Sequence, residues 1–198
     1  MVHIDDIRIC VAQPEDEPRV LDFLRIHYYL EEPLTVGREP KQQDRADEIF
    51  NISNIVHGTS LMAIHTETNS IVGVVLTGPK DPGEADHLLE EAAVEGSTKW
   101  GITLKFLAMV ERDANVFQRY GVDKALHIQV LAVDGKMRGK NIGGRLITEL
   151  VEGGKQWGYE VVSADCTSHF SARLLERQGW ECINTVYYKD YVDAGFCC

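Results

Sequence analysis

Apolar and polar side chains alternate along several stretches of the chain, and this period of two is typical of half-buried strands. Alternation predicts a strand at 7–13, and apolar runs predict buried strands at 125–134 and 159–164. Further strands are predicted at 60–64, 71–76 and 186–191. A polar turn, Thr68-Asn69-Ser70, separates the second strand from the third, so these two are expected to form a hairpin.

Other segments repeat apolar residues at helical spacing. The helix at 41–56 is expected to turn four residues inward, namely Ala46, Ile49, Phe50 and Ile52. Neighbouring strands come early in the chain and strand–helix–strand units come late, which favours an α/β fold with a mixed sheet and helices on its faces. The pattern predicts a first helix that begins in the acidic segment 14–18 and stops near Pro33. Further helices are predicted at 41–56, within 100–120, at 142–157 and at 171–178, and a loop is predicted at 78–86.

Length and charge narrow the classes of function. The 198 residues suffice for one domain with a substantial core and are few for two, so one domain is expected over 1–198. Lys and Arg number 20 against 31 Asp and Glu, and the formal net charge is −11. The basic residues form no cluster, which argues against a nucleic-acid partner. An acidic surface attracts small cations through its field, and the alternative is that this charge serves solubility alone.

Cysteine usage and the lack of long apolar runs indicate the compartment. The five cysteines are odd in number and have no metal-ligand spacing, and the H-E-x-x-H motif is absent, so no metal site is expected. No apolar signal segment and no membrane-spanning run is visible, so no membrane partner is expected. These features together predict a cytoplasmic protein, with a monomer favoured.

A glycine-rich basic turn at 135–141 joins the apolar strand at 125–134 to the helix at 142–157. The first N–H groups of a helix lack partners within the helix, and the helix dipole adds partial positive charge, so a pyrophosphate would bind well there. The alternative is a glycine-rich turn without a ligand. The sequence matches neither the Walker loop nor the dinucleotide fingerprint. The residues expected to contribute are Arg138, Gly139, Lys140, Asn141, Ile142, Gly143 and Gly144.

The run from Arg138 to Gly143 is similar to the coenzyme A signature of the GNAT superfamily, R/Q-x-x-G-x-G/A, with Asn141 where glycine is usual. Asparagine tolerates left-handed backbone angles better than most residues, so we expect the loop to keep its shape. The resemblance implies acetyl-CoA as cosubstrate and a GNAT fold with a mixed sheet of about seven strands. It also implies that Leu131, Ala132 and Val133 bind the cosubstrate through the strand backbone.

A second motif, S-H-F-S-A-R from Ser168 to Arg173, resembles the S-H-Y-S-A-R run of the insect arylalkylamine N-acetyltransferases. The resemblance implies catalytic roles for Thr167 and Ser171, which match two serines of that family, and a substrate contact for Ser168. Ser171 has an alternative interpretation as the N-terminal cap of the following helix. Phe170 lacks the hydroxyl of the tyrosine that often stands there.

A third motif, Y-Y-L-E-E-P-L at 28–34, resembles a segment of the same family in which the glutamate before proline is the general base. That position is Glu32. His27, Tyr28 and Tyr29 are expected to line the amine pocket, with burial in the core as the alternative for these side chains. A solvated carboxylate at a helix end is the alternative for Glu32. The pKa of an ordinary glutamate, about 4.3, lies about six units below that of a protonated amine, so direct proton transfer to it would cost roughly 8 kcal/mol. Glu32 is therefore expected to act through water in a desolvated pocket.

The expected function is transfer of acetyl from acetyl-CoA to a small arylalkylamine such as dopamine, serotonin, octopamine or tyramine. One alternative is the same reaction on a non-aromatic amine, either a polyamine or agmatine. Another is a non-catalytic acyl-CoA binder, an alternative that Asn141 and Phe170 leave open. The expected partners are the amine and acetyl-CoA.

Overall fold

A mixed β-sheet organises the part of the chain that the computed structural model describes, residues 6–36 and 44–190. The first four strands are antiparallel to their neighbours, and the fifth lies parallel to the fourth. The prediction of a mixed sheet is therefore confirmed. The strands, which lie side by side in chain order, are β1 (Ile7–Val11), β2 (Leu61–His65), β3 (Ser70–Lys80), β4 (Ala125–Val133) and β5 (Val162–Ala164).

Helices cover both faces of this sheet. They are α1 (Glu17–His27), α2 (Pro33–Val36), α3 (Arg45–Ser53), α4 (Glu84–Glu95), α5 (Lys99–Ala114), α6 (Val116–Tyr120), α7 (Ile142–Gln156) and α8 (His169–Arg177). Short 3-10 helices lie at Pro14–Asp16, Asn54–His57, Gly135–Met137 and Tyr188–Asp190.

Helix α7 supplies the apolar layer on one face. Its residues Ile142, Leu146 and Leu150 recur every four positions and are all buried against the sheet. On the other face, Val20 and Leu24 of helix α1 are buried in the second core cluster. Each helix thus buries one apolar stripe, which is the main contribution to stability for helices of this length.

A third layer consists of helices α4 and α5, which pack with α3. Leu88, Trp100 and Leu104 form its buried centre, and Phe50 of α3 packs against them with its ring centroid 5.0 Å from that of Trp100. This layer places polar residues of α3, α4 and α5 around a common space beside the sheet.

Strand β4 changes the face of its apolar residues part of the way along. Leu126 and Ile128 belong to the core under α7, whereas Val130 and Ala132 belong to the core under α1. The ladder with β3 shifts at this point, which leaves Gln129 as an extra residue in β4. Such a bulge bends the strand and increases its twist.

The predicted stop of the first helix near Pro33 is wrong, because α1 ends at His27 and Pro33 instead begins α2. Proline is favoured at the first position of a helix, where no N–H is needed. The prediction that Ile49 faces inward is also wrong, since it is 53% exposed. Glu48 and Asn51 are buried in its place, because each has a polar partner, Arg25 and Tyr29 respectively.

The loop predicted at 78–86 is shorter than expected, because β3 continues to Lys80 and α4 begins at Glu84. Strand β2 begins at Leu61, opposite Val75, so from Leu76 onward β3 has no strand beside it on that edge, and Pro79 is tolerated there. Helix α4 was not predicted.

The sheet has five strands within the described residues instead of about seven, and no strand forms at 186–190. Strand β5 is only three residues long, and side-chain contacts hold the later segment instead: Tyr188 stacks on Phe106 and donates a hydrogen bond to the Thr167 carbonyl. Residues 41–43 and 191 of the predicted elements lie outside the described part of the chain.

Leu146→Ala tests the packing of α7 on the sheet. Leu146 is 0% exposed, and removal of its buried methyl groups is expected to lower the free energy of unfolding by about 2–5 kcal/mol in urea denaturation. Leu30→Ala removes the same atoms from a residue that is 66% exposed, and its effect should stay within about 0.5 kcal/mol. Equal losses in the two variants would contradict the assignment of Leu146 to the core.

Candidate active site

A cavity of about 70 Å³ lies where helices α3, α4 and α5 approach the bulged part of β4. Both charged and apolar side chains line it. They are Tyr28, Glu32, Leu34, Asp47, Phe50, Asn51, Lys80, Glu84, Leu88, Trp100, Thr103, Leu107, His127, Ile128, Gln129, Asp165 and Thr167.

Glu32 lies in this cavity with both carboxylate oxygens engaged. Oε1 accepts a hydrogen bond from the Leu34 N–H at 3.2 Å, and Oε2 accepts one from the Thr167 hydroxyl at 3.1 Å. The backbone before it is a tight turn, in which the Glu32 N–H donates to the Tyr28 carbonyl at 3.0 Å. The carboxylate is therefore held in one orientation by two separate segments of the chain.

Burial is the main influence on the proton affinity of this carboxyl. Desolvation raises the pKa of Glu32, and hydrogen bonds from Leu34, Thr167 and Tyr28 lower it less. A carboxyl in such an environment is a better proton acceptor than an exposed one, because its charged form is less well solvated.

Thr167 is separated from Glu32 by 135 positions in the sequence, and the structure brings their side chains into contact. It follows strand β5 by three residues, and the Tyr188 hydroxyl donates to its carbonyl at 2.9 Å. Two of the predicted catalytic residues thus meet in one cavity.

The third predicted catalytic residue, Ser171, lies in helix α8. Its hydroxyl donates to the Ser168 carbonyl at 2.9 Å, and its N–H donates to the Ser168 hydroxyl oxygen at 3.1 Å. The interpretation of Ser171 as the helix cap is wrong, because Ser168 holds that position. Neither serine is among the residues that line the cavity, and Phe170 beside them is exposed.

The three predicted substrate contacts near the end of α1 lie in different surroundings. Tyr28 lines the cavity, and desolvation followed by the charge of Glu32 raises its pKa well above the ordinary value. Tyr29 is buried in the core, where its hydroxyl accepts a hydrogen bond from the Asn51 amide at 3.2 Å. His27 lies 3.8 Å from the Asp134 carboxylate, beside the glycine-rich turn.

The backbone of the turn at 135–141 is left-handed at two positions, one of which is Asn141, as predicted. Gly139 and Asn141 have φ angles of +79° and +58°, so asparagine does adopt the left-handed conformation here. Asn141, the residue before α7, makes no side-chain capping bond to the first turn of this helix. Gly143 and Gly144 are buried; a Cβ on Gly144 would lie 2.3 Å from the Asn141 Oδ1 atom.

Two basic side chains flank this turn. The Arg138 guanidinium donates to the Glu31 carboxylate, and both side chains of this pair are about half exposed. The Lys140 ammonium lies 3.4 Å from the Met137 sulfur. Glu31 directly precedes Glu32, so this ion pair links the loop that carries Glu32 to the candidate phosphate site.

One edge of β4 next to the turn has no strand partner. Strand β3 pairs with β4 over its whole length, whereas β5 pairs only with residues 126–128. The backbone of Leu131, Ala132 and Val133 therefore lacks a neighbouring strand on the second edge, within the described part of the sheet. An extended chain of amides could add to that edge as a strand does.

A set of charged residues in the same cavity as Glu32 was not identified from the sequence. The Lys80 ammonium bonds to the Glu111 carboxylate at 2.6 Å and lies 4.0 Å from that of Glu84. His127 in β4 lies 3.7 Å from Asp165, which follows β5. A polar histidine inside the apolar run of β4 is the one sequence signal for this set.

Burial shifts the proton affinities of this set as well. Desolvation raises the pKa of Glu84 and of Asp165, and it raises that of Asp47 to about 7, with a further contribution from the charge of Glu32. Desolvation and then the charge of Lys80 lower the pKa of His127 well below its ordinary value, so its ring is neutral at pH 7.

Neither a metal site nor a membrane span is found within residues 6–36 and 44–190. No group of three His, Cys, Asp or Glu side chains there is arranged to hold a metal ion. None of the helices in those ranges has the length and apolar character needed to cross a bilayer.

Comparison with known proteins places this arrangement in context. The sequence profile of the acetyltransferase (GNAT) family matches residues 23–180. The polyamine N-acetyltransferase of Drosophila melanogaster, an enzyme that catalyses the formation of N-acetylagmatine, is 41% identical, with a TM-score of 0.91 over 96% of this chain and 90% of that one. A mosquito arylalkylamine N-acetyltransferase, like 5b, is 38% identical, with a TM-score of 0.90 over 95% and 89%.

Asp47→Asn tests the carboxyl environment of the cavity. In the unfolded chain Asp47 ionises near its ordinary pKa of about 4. The folded protein holds that proton up to about pH 7, so Asp47 contributes stability that is present at low pH and lost as the pH rises. The unfolding free energy of the variant, relative to the unaltered protein, should therefore rise between about pH 4 and pH 7. Parallel stability curves for the two proteins would contradict the raised pKa.

Proposed function

The chain belongs to the GNAT family of acetyltransferases and is an amine N-acetyltransferase, and we propose that Glu32 is the base that accepts the proton of the amine. The observation that carries this proposal is the position of the Glu32 carboxylate, buried in the cavity and held by Leu34 and Thr167. The raised pKa of Glu32 lies closer to the pKa of the amine than that of an ordinary glutamate, for which the difference is about six units.

The proposed reaction joins the amine nitrogen to the acetyl carbon and breaks the bond from that carbon to sulfur. Acetyl-CoA supplies the activated acetyl group. Glu32 takes up the proton that the nitrogen loses, through a water molecule where direct contact is not possible. Backbone N–H groups near Val133, on the unpaired edge of β4, support the negative charge that develops on the acetyl oxygen.

Thr167 is proposed to orient Glu32, because its hydroxyl donates to the carboxylate. Ser171 stays a candidate for the proton that the departing thiolate accepts. Its hydroxyl now donates to the Ser168 carbonyl, so this role requires the hydroxyl to turn away from that partner.

The cosubstrate is proposed to bind along the unpaired edge of β4 and at the turn that follows. Left-handed Gly139 and Asn141, together with the N–H groups in the first turn of α7, suit a pyrophosphate, and Arg138 and Lys140 add positive charge. Leu131, Ala132 and Val133 offer the backbone edge to the pantetheine arm.

Two substrate classes are in question. Tyr28, Phe50 and Trp100 line the cavity, which supports an arylalkylamine. The carboxylates of Asp47, Glu84 and Asp165 support a non-aromatic amine with more than one positive group. Thiol release from acetyl-CoA with a panel of both amine classes tests the activity itself.

Glu32→Gln is expected to lower kcat by about 10²- to 10⁴-fold, because the amide accepts no proton. The acidic limb of the pH–rate profile should disappear as well. Glu15→Gln, at an exposed position away from the cavity, is the matched control.

Substitutions of Thr167 separate the role of its hydroxyl from that of the Glu32 carboxylate. Thr167→Val keeps the shape of the side chain but removes the donor to Glu32, so kcat should fall less than in Glu32→Gln, and Thr167→Ser should restore it.

Full activity and an unchanged pH profile in Glu32→Gln would show that Glu32 is not the base.

Glu31→Gln tests the proposed pyrophosphate site. The substitution removes the carboxylate that competes for the Arg138 guanidinium, so acetyl-CoA should bind up to about five-fold more tightly in calorimetry. The gain is modest because both side chains are exposed. Weaker binding in this variant would indicate that Arg138 does not contact the cosubstrate.

A further inference from the structure

Tyr188 is not among the residues that line the cavity, but its side chain reaches the segment that carries Thr167. The phenol hydroxyl donates a hydrogen bond to the Thr167 carbonyl at 2.9 Å. The ring stacks on Phe106 of helix α5, with the two centroids 5.8 Å apart and the planes 29° apart. Phe106 is itself buried. Tyr188 thus joins a buried side chain of α5 to the backbone at Thr167.

The backbone at Thr167 belongs to neither a helix nor a strand. Strand β5 ends at Ala164, and helix α8 begins at His169. Among the described residues, no backbone N–H donates to the Thr167 carbonyl. Carbonyls outside regular structure are held by side chains or by water, and here the Tyr188 hydroxyl is a side-chain donor. This bond restricts the ψ angle of Thr167, because ψ sets the direction of the carbonyl.

The backbone of Thr167 in turn sets the position of its hydroxyl. Threonine is branched at Cβ, so few χ1 rotamers are open to it, and its hydroxyl follows the backbone closely. That hydroxyl donates to the Oε2 atom of Glu32 at 3.1 Å. A rotation of the backbone at Thr167 would misalign this bond, and hydrogen bonds weaken steeply when they are misaligned. The bond from Tyr188 therefore supports the bond to Glu32 through one residue.

We propose that Tyr188 is a positioning residue of the acetyl transfer, which holds Thr167 so that its hydroxyl orients the Glu32 carboxylate. The inference rests on the proposed function, because it takes Glu32 as the base. The alternative is that Tyr188 only fastens the segment after α8 to the rest of the protein.

The two roles differ in what they predict for the pH dependence of the reaction. The hydrogen bond from Thr167 is one of the contacts that lower the pKa of Glu32. A loss of this bond raises that pKa, because the charged form of the carboxyl loses a donor. The acidic limb of the pH–rate profile then moves to higher pH. A residue that only fastens the segment after α8 has no such effect.

Tyr188→Phe removes the donor and keeps the ring on Phe106. Thiol release from acetyl-CoA is measured against pH with the fastest amine among agmatine, putrescine, dopamine and tyramine. We expect kcat to fall about 2- to 10-fold, the effect of one neutral hydrogen bond, while the KM of the amine stays within about two-fold. The acidic limb should move to higher pH. Tyr187→Phe alters a neighbouring tyrosine that is 63% exposed, and it should leave rate and profile unchanged.

The double variant shows whether Tyr188 acts through Thr167. Thr167→Val leaves no hydroxyl to orient, so the addition of Tyr188→Phe should change kcat by less than about two-fold and should not move the acidic limb further. Independent effects that multiply in the double variant would overturn the proposal. A lower kcat in Tyr188→Phe with an unmoved acidic limb would overturn it as well, because that result indicates a structural role alone.

Phe106→Leu decides the question where Tyr188→Phe does not fold. It removes the stacked ring and keeps an apolar side chain, so the acidic limb should again move to higher pH, and an unmoved limb would contradict the role of Tyr188. Full activity in Glu32→Gln would overturn the proposed function itself. A large loss in Glu32→Gln together with unaltered behaviour of Tyr188→Phe would overturn only the inference about Tyr188.

Discussion

At Gln129, strand β4 gains one residue relative to β3, and the two edges of β4 differ from that point onward. Strand β5 accompanies β4 only up to Ile128, so the remaining edge has no strand beside it. The same irregularity places His127, Ile128 and Gln129 on the wall of the cavity. A bulge bends the strand that carries it and increases its twist, and in β4 it coincides with the end of the pairing with β5. The open edge and the cavity wall thus both begin at the bulge.

The electrostatics of the cavity follow from burial in an acidic chain. Carboxylates that are removed from water resist ionisation, which raises the pKa of Glu32, Asp47, Glu84 and Asp165 together. Such a cluster destabilises the fold at neutral pH, and a protein retains it where the chemistry needs it. The apolar layers under α1 and α7 offset this cost, because they bury their stripes on both faces of the sheet.

The loop that carries Glu32 connects the two halves of the candidate site. Glu32 contacts Thr167 after β5, while its neighbour Glu31 pairs with Arg138 in the turn before α7. Segments that are more than 100 positions apart in the sequence are thus joined through two adjacent residues. A change at the turn before α7 can in this way reach the position of the base.

Local pattern was enough to predict the elements that depend on few neighbours. The hairpin of β2 and β3, the strand β4 and the helix α7 follow from alternation, helical spacing and the glycines of the turn, all of which act within a few residues. The motifs carrying Glu32, Thr167 and Arg138 were also visible locally. What only the tertiary structure decided is the strand count, the burial of Glu48 in place of Ile49, and the meeting of Asp47, Glu84, His127 and Asp165. These depend on contacts between distant segments, and the free energy of such contacts is set by packing and desolvation, which no local pattern contains.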